Sequence, residues 1–168
     1  MDIAYRKAVR DDLEKILDLT VKATEEMERN GIHQWDSIYP CAEDFTDDIE
    51  SGSSYVGTAD GKIVVVYAVN SECDEQYANA CWQYTGDDFI VIHRLCVSPD
   101  FQNHGIAKAT LRHIEREASS AGKRAVRLDV FSENPYAVRL YSNNGYHRTG
   151  TARWRKGLFL LMEKLLES

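Results

Sequence analysis

The chain has 168 residues, of which 43% are hydrophobic and 28% charged, with a formal net charge of −7 and a pI near 5.2. This length predicts a single domain over residues 1–168 that buries its own core without metal or disulfide staples. The negative charge disfavours nonspecific binding to nucleic acid or an anionic membrane and suits a cationic partner such as an amine.

No apolar run approaches the roughly 20 residues of a membrane span, and Met1 to Arg6 lacks the basic-then-apolar pattern of a signal peptide. The four cysteines, Cys41, Cys73, Cys81 and Cys96, show no zinc or redox spacing, and free thiols favour a reducing compartment. The expectation is a soluble cytoplasmic protein with no metal.

In chain order, Ile3 to Val9 predicts a first strand. Asp11 reads as a helix N-cap, with Glu14 completing a capping box. Leu13, Ile16, Leu17, Thr20, Thr24 and Met27 follow at helical spacing, and Gly31 closes that helix. An aromatic loop from His33 to Pro40 leads to a short acidic helix over Ala42 to Ser51. Strands follow at Ser54 to Thr58 and Lys62 to Val69, separated by the hairpin signal Asp60-Gly61. Asn70 to Asp88 is polar, acidic and aromatic without a period, and connections of that length are often functional.

Phe89 to Val97 predicts the fourth strand. Gly105 to Ala121 predicts a helix burying Ala107, Thr110, Leu111, Ile114 and Ala118. Val126 to Phe131 is the fifth strand. Asn134 caps a helix with Pro135 at its first position and Asn144-Gly145 at its end. Tyr146 to Trp154 and Leu158 to Lys164 complete the strands. This order predicts an α/β (α+β) fold, a mixed sheet flanked by helices on both faces.

The sharpest chemical signal is the strand, turn and helix from Ile92 to Lys108. Consecutive backbone amides at a helix start favour an anion, Gly105 and Ala107 leave room for a phosphate, and Lys108 adds a charge. An ordinary strand-to-helix turn also needs such a glycine, so the turn alone leaves both readings open.

Gln102-x-x-Gly105-x-Ala107, after Leu95-x-Val97-x-Pro99, resembles the acetyl-CoA signature of the GNAT N-acyltransferases. Leu128-Asp129-Val130, Asn134, Ala137, Leu140-Tyr141 and Gly145-Tyr146 resemble the second half of that family, and the element order matches along nearly the whole chain. The resemblance implies a mostly antiparallel sheet of about seven strands with about four helices. In that fold the fourth and fifth strands splay apart and the pantetheine of acetyl-CoA lies in the gap. The main chain of Leu95, Cys96 and Val97 would pair with the pantetheine. The amides around Gln102, Asn103, His104, Gly105, Ile106, Ala107 and Lys108 would hold the pyrophosphate. Asn103-His104 stands where the family often has a glycine or a basic residue, which shifts the affinity toward backbone donors.

The same resemblance implies that Asn134 and Tyr141 meet the pantetheine arm and the thioester. A phenol with a pKa of about 10 is matched closely enough to a thiol of about 8.5 to protonate the leaving thiolate. For the base two residues compete. Asp129 occupies a position where some family members carry a catalytic Glu. His93 shares a strand face with Leu95 and Val97 by the period of two. The acceptor amine, from a small molecule or a peptide, would lie near Trp35, Tyr39, Tyr77, Trp82 and Tyr84, among the acidic residues Glu72, Asp74, Glu75, Asp87 and Asp88. Those aromatics would equally serve as cover for a sheet edge. A catalytically silent acyl-CoA-binding module is the alternative to an enzyme, and homodimers are common in the family.

Overall fold

The computed structural model describes residues 1–167. Seven strands hydrogen-bond in the order β1-β2-β3-β4-β5-β7-β6, and four α-helices accompany them. Two compact units divide the chain. One comprises Met1–Val69 with His93–Ala107, and the other Asn70–Ile92 with Lys108–Ser168.

The first unit holds β1 (Ala4–Lys7), α1 (Leu13–Arg29), α2 (Ala42–Glu50), β2 (Ser54–Ala59) and β3 (Lys62–Asn70) up to Val69. β1 pairs with β2 and β2 with β3, both antiparallel. Asp60 and Gly61 close the β2–β3 hairpin at φ of 52° and 77°, the left-handed pair that an Asp-Gly turn supplies. The core of this unit gathers Ile16, Leu19 and Ala23 of α1, Phe45 of α2, Val56 and Val66 of the sheet, Trp35, and Cys96.

The helix signal near Asp11 is displaced. A 3-10 turn over Arg10–Asp12 precedes α1, and Asp12 rather than Asp11 stands at the N-cap of α1, where its Oδ2 accepts the Val9 amide at 2.8 Å and no amide of the helix. Asp12 also takes a bidentate Arg6 at 2.8 and 2.9 Å. The guanidinium hydrogen bonds hold its carboxyl below the usual range against the opposing effect of burial.

In the second unit β5 (Ala125–Phe131) pairs antiparallel with β7 (Gly157–Leu165) along its whole length, and β7 with β6 (His147–Trp154). β4 runs from Phe89 to Val97 as predicted, its first four residues in this unit and the rest in the other. Parallel pairing of β4 with β5 covers Phe89–Val91 against Ala125–Arg127 and stops there, although both strands continue. α3 (Ile106–Ser120) and α4 (Pro135–Asn143) complete the helices. α3 buries Ile106, Thr110, Leu111, Ile114 and Ala118, so Ile106 replaces the expected Ala107 in the stripe. The long connection is not structureless: Glu75–Asn79 forms a 3-10 turn that seats Tyr77 in a small core with Val91, Ala152 and Leu161. Among the described residues no helix is long and apolar enough to cross a membrane.

Candidate active site

β4 contributes the first group of residues. Arg94 sits in mid-strand at φ +51°, the left-handed region, which is a local irregularity of the kind found at β-bulges. Strict alternation does not pass through such a residue, so the shared face inferred for His93, Leu95 and Val97 does not follow from the period of two. His93 is half-buried, as are Leu95 and Val97.

The Arg94 side chain compensates for its backbone. Nε and Nη2 donate to Asp48 of α2 at 2.8 and 2.6 Å, and Nη1 donates to the Tyr39 hydroxyl at 3.0 Å. This fork ties α2 and the aromatic loop to β4, and no pattern in the sequence announced it. Cys96 is buried, and burial pushes its thiol up to about 12. It is inert as a nucleophile, consistent with a position whose main chain is what matters.

The turn after β4 is built by local hydrogen bonds. The Ser98 amide donates to the Val64 carbonyl at 2.8 Å, and the Ser98 hydroxyl accepts the Asp100 amide at 3.3 Å. A 3-10 turn over Pro99–Phe101 follows. Asn103 and Gly105 are both left-handed, at φ of 66° and 70°. Two left-handed residues in three, running into a helix, turn successive amides toward one side, the geometry of an anion nest. The helix start leaves the amides of Gly105 to Lys108 without helical carbonyl partners. A Cβ built on Gly105 meets nothing within 4 Å, so the space beside this backbone is open to a ligand. Gln102, Asn103, His104 and Lys108 are exposed around it, and Ile106 anchors the helix beneath. These features fit a pyrophosphate.

In the second unit, Asn134 caps α4 as predicted, its Oδ1 accepting the Ala137 amide at 3.1 Å. Tyr141 lies seven residues on, about two turns, hence on the same helix face. Both are buried. Desolvation first, and then the negative charge of Asp129, hold the Tyr141 phenol well above its ordinary value, so it stays protonated. Asp129 is the one residue of β5 that is not fully buried, and its Oδ2 accepts the Tyr77 hydroxyl at 2.7 Å.

The residues anticipated around the acceptor prove to be heavily engaged. Trp35 is 7% exposed and belongs to the core. Tyr39 is 40% exposed with its hydroxyl on Arg94. Trp82 donates its indole N–H to the Tyr77 carbonyl at 2.8 Å. The Tyr84 hydroxyl accepts the Asp88 amide at 3.2 Å, and its carbonyl accepts Arg127. The Arg127 guanidinium lies 4.4 Å from the Trp82 ring centre and 4.0 Å from that of Phe89. It also faces Glu163 of β7 at 3.6 Å, an ion-pair distance rather than a hydrogen bond. Sequence reasoning passed over Arg127 and Glu163; the signal available was a charge inside each of two apolar strand runs.

Residues 13–146 match the profile of the Acetyltransferase (GNAT) family. An uncharacterised N-acetyltransferase of Bacillus subtilis is 27% identical over 146 residues, covering 85% of this chain and 81% of that protein. A GNAT-family acetyltransferase from Streptococcus agalactiae superposes with a TM-score of 0.89 at 24% identity, over 99% of this chain and 96% of that one. An N-acetyltransferase of Thermoplasma acidophilum, solved with coenzyme A, superposes with a TM-score of 0.73 at 17% identity, over 98% and 99% of the two chains.

Proposed function

The chain belongs to the Acetyltransferase (GNAT) family, and from that premise we propose that it moves an acetyl group from acetyl-CoA to a primary amine by direct attack. The reading as an active enzyme, rather than a silent CoA-binding module, is supported by Tyr141, buried on the α4 face that also carries Asn134, together with Asp129, the one residue of β5 that is not fully buried. A buried phenol and a partly open carboxylate are a candidate acid and a candidate base. A binding module has no use for either.

In this reading the amides from Gln102 to Lys108 hold the pyrophosphate, and the main chain of Leu95, Cys96 and Val97 pairs with the pantetheine. Asn134 and Tyr141 serve the thioester end. The attacking amine gives a proton to Asp129, directly or through a water, while Tyr141 gives its proton to the departing sulfur. We favour Asp129 over His93 as the base because it is a partly open carboxylate in an otherwise buried strand, held by the Tyr77 hydroxyl at 2.7 Å. The acceptor is a small-molecule or peptide amine, and the net charge of −7 suits a cation. The Arg94–Asp48–Tyr39 cluster supports a place for it beside the aromatic loop, since it fixes that loop to β4. The packing contacts of Trp82 and Tyr84 leave them a role in shaping their own connection.

The test is release of free thiol from acetyl-CoA across a panel of primary amines and peptide N-termini. Turnover with at least one amine is expected. Coenzyme A binding without turnover on any of them would make the chain a silent module.

A further inference from the structure

We infer that Tyr77 is a positioning residue for Asp129: it comes from the connection between β3 and β4 and fixes the carboxylate that takes the amine's proton. The inference rests on the reading of Asp129 as base given above.

Three observations converge on it. Tyr77 is 3% exposed and packs its ring against Trp82, with centroids 5.5 Å apart, so its position is set by its core and not by solvent. A phenylalanine would fill that space equally well, yet this residue carries a hydroxyl, and the hydroxyl donates to Asp129 at 2.7 Å. Asp129 in turn is the one residue of β5 that is not fully buried. A buried donor therefore meets the one partly open carboxylate of an apolar strand.

The physical consequence has a sign. A hydrogen bond donated to a carboxylate favours its ionised form and restricts its rotation. Burial keeps Tyr77 protonated, so the donor persists through the working pH range. The charge of Asp129 also acts on Tyr141 of α4, and Cys73 and Asp74 act with it on Tyr77. The Tyr77 hydroxyl is a neutral donor, so it acts on Asp129 through this hydrogen bond. Without it, Asp129 would hold its proton to higher pH and turn more freely.

The test compares wild type, Tyr77→Phe, Asp129→Asn and the double variant. In Tyr77→Phe, the Asp129 carboxyl carbon, followed by NMR and assigned by its absence in Asp129→Asn, should titrate at least half a pH unit higher. The acid limb of kcat/KM should move the same way, kcat should fall about tenfold, and the KM for acetyl-CoA should stay within about twofold. In the Asp129→Asn background the Phe substitution should change kcat no further. An unmoved carboxyl titration, or an equal loss of kcat in both backgrounds, overturns the inference and leaves Asp129 as base. Asp129→Asn turning over with an unchanged acid limb removes Asp129 as base, and Tyr77's role with it. Should the Phe variant not fold, a fluorotyrosine at position 77 is a stronger donor and must lower the Asp129 midpoint. A midpoint that stays or rises overturns the inference as well.

Discussion

Glu163→Gln and Glu163→Leu separate what this buried carboxylate does. Its side chain is 0% exposed, it faces Arg127 at 3.6 Å, and it accepts the Gln83 amide at 2.8 Å and the Tyr84 amide at 3.4 Å. Removing one member of a buried ion pair strands the other charge and costs about 3–5 kcal/mol. Leucine also leaves the Gln83 and Tyr84 amides without this acceptor, so Leu falls toward the top of that range. Glutamine restores an oxygen for the shorter of the two bonds, which places it nearer 3 kcal/mol. For a chain of this size 1 kcal/mol moves Tm by roughly 2–4 °C, so Gln should lower it by about 6–12 °C and Leu by more. Urea unfolding gives the free energies, with an unchanged m-value confirming that the native state is what changed. A Gln variant within about 1 kcal/mol of wild type, or a Leu variant milder than Gln, would show that the pair does not anchor the 82–84 segment.

Other perturbations test the site. Tyr141→Phe keeps the ring and should lower kcat by about 10²–10⁴-fold with little change in coenzyme A affinity by calorimetry; because burial raises the phenol's pKa, the wild-type rate should show no fall from its ionisation up to about pH 10. Gly105→Val places a β-branched side chain at φ +70° and in the open space of the turn, and coenzyme A affinity should drop at least about tenfold. At Arg94, with φ +51°, the usual order reverses: Arg94→Gly should be more stable than Arg94→Ala by about 1 kcal/mol in urea unfolding, whereas an ordinary strand position favours Ala. Burial raises the phenols of Tyr77, Tyr141 and Tyr146, so the native state holds protons that the unfolded chain gives up above about pH 10; stability present below that pH should fall by about 1.4 kcal/mol per pH unit for each of them, read from Tm against pH.

The elements were legible because their signals are local. Asp60-Gly61 needs only its own two residues to make a hairpin, and Asn134-Pro135 carries cap and first turn in adjacent positions. The β4 span and the order of all eleven strands and helices followed from such cues. The Asp11 cap failed by one residue because Asp11 and Asp12 are equivalent in sequence, and Arg6, which selects Asp12, is reached only after folding. The site was half legible for the same reason. The turn from Gln102 to Lys108 is contiguous and reads as a motif. The contacts Arg94–Asp48, Tyr77–Asp129 and Arg127–Glu163 join residues 46, 52 and 36 positions apart, and neither partner signals the other.

The aromatic connection shows what composition alone leaves open. Its composition marks a segment that does something, and Trp82, Tyr84 and Tyr77 are the right residues to ask about. Composition cannot distinguish an aromatic ring waiting for an amine from one already holding a cation of the protein itself. In this structure the Trp82 ring lies 4.4 Å from the Arg127 guanidinium, which is itself buried and paired with Glu163. Cation–π contact is a property that the sequence suggested for a substrate, and the fold uses it internally. What remains chemically directed in the connection is the Tyr77 hydroxyl, donated to the carboxylate of Asp129. The segment thus reaches Asp129, the base proposed above, through a buried anchor, and the Tyr77 ring packs on the same Trp82 that lies against Arg127.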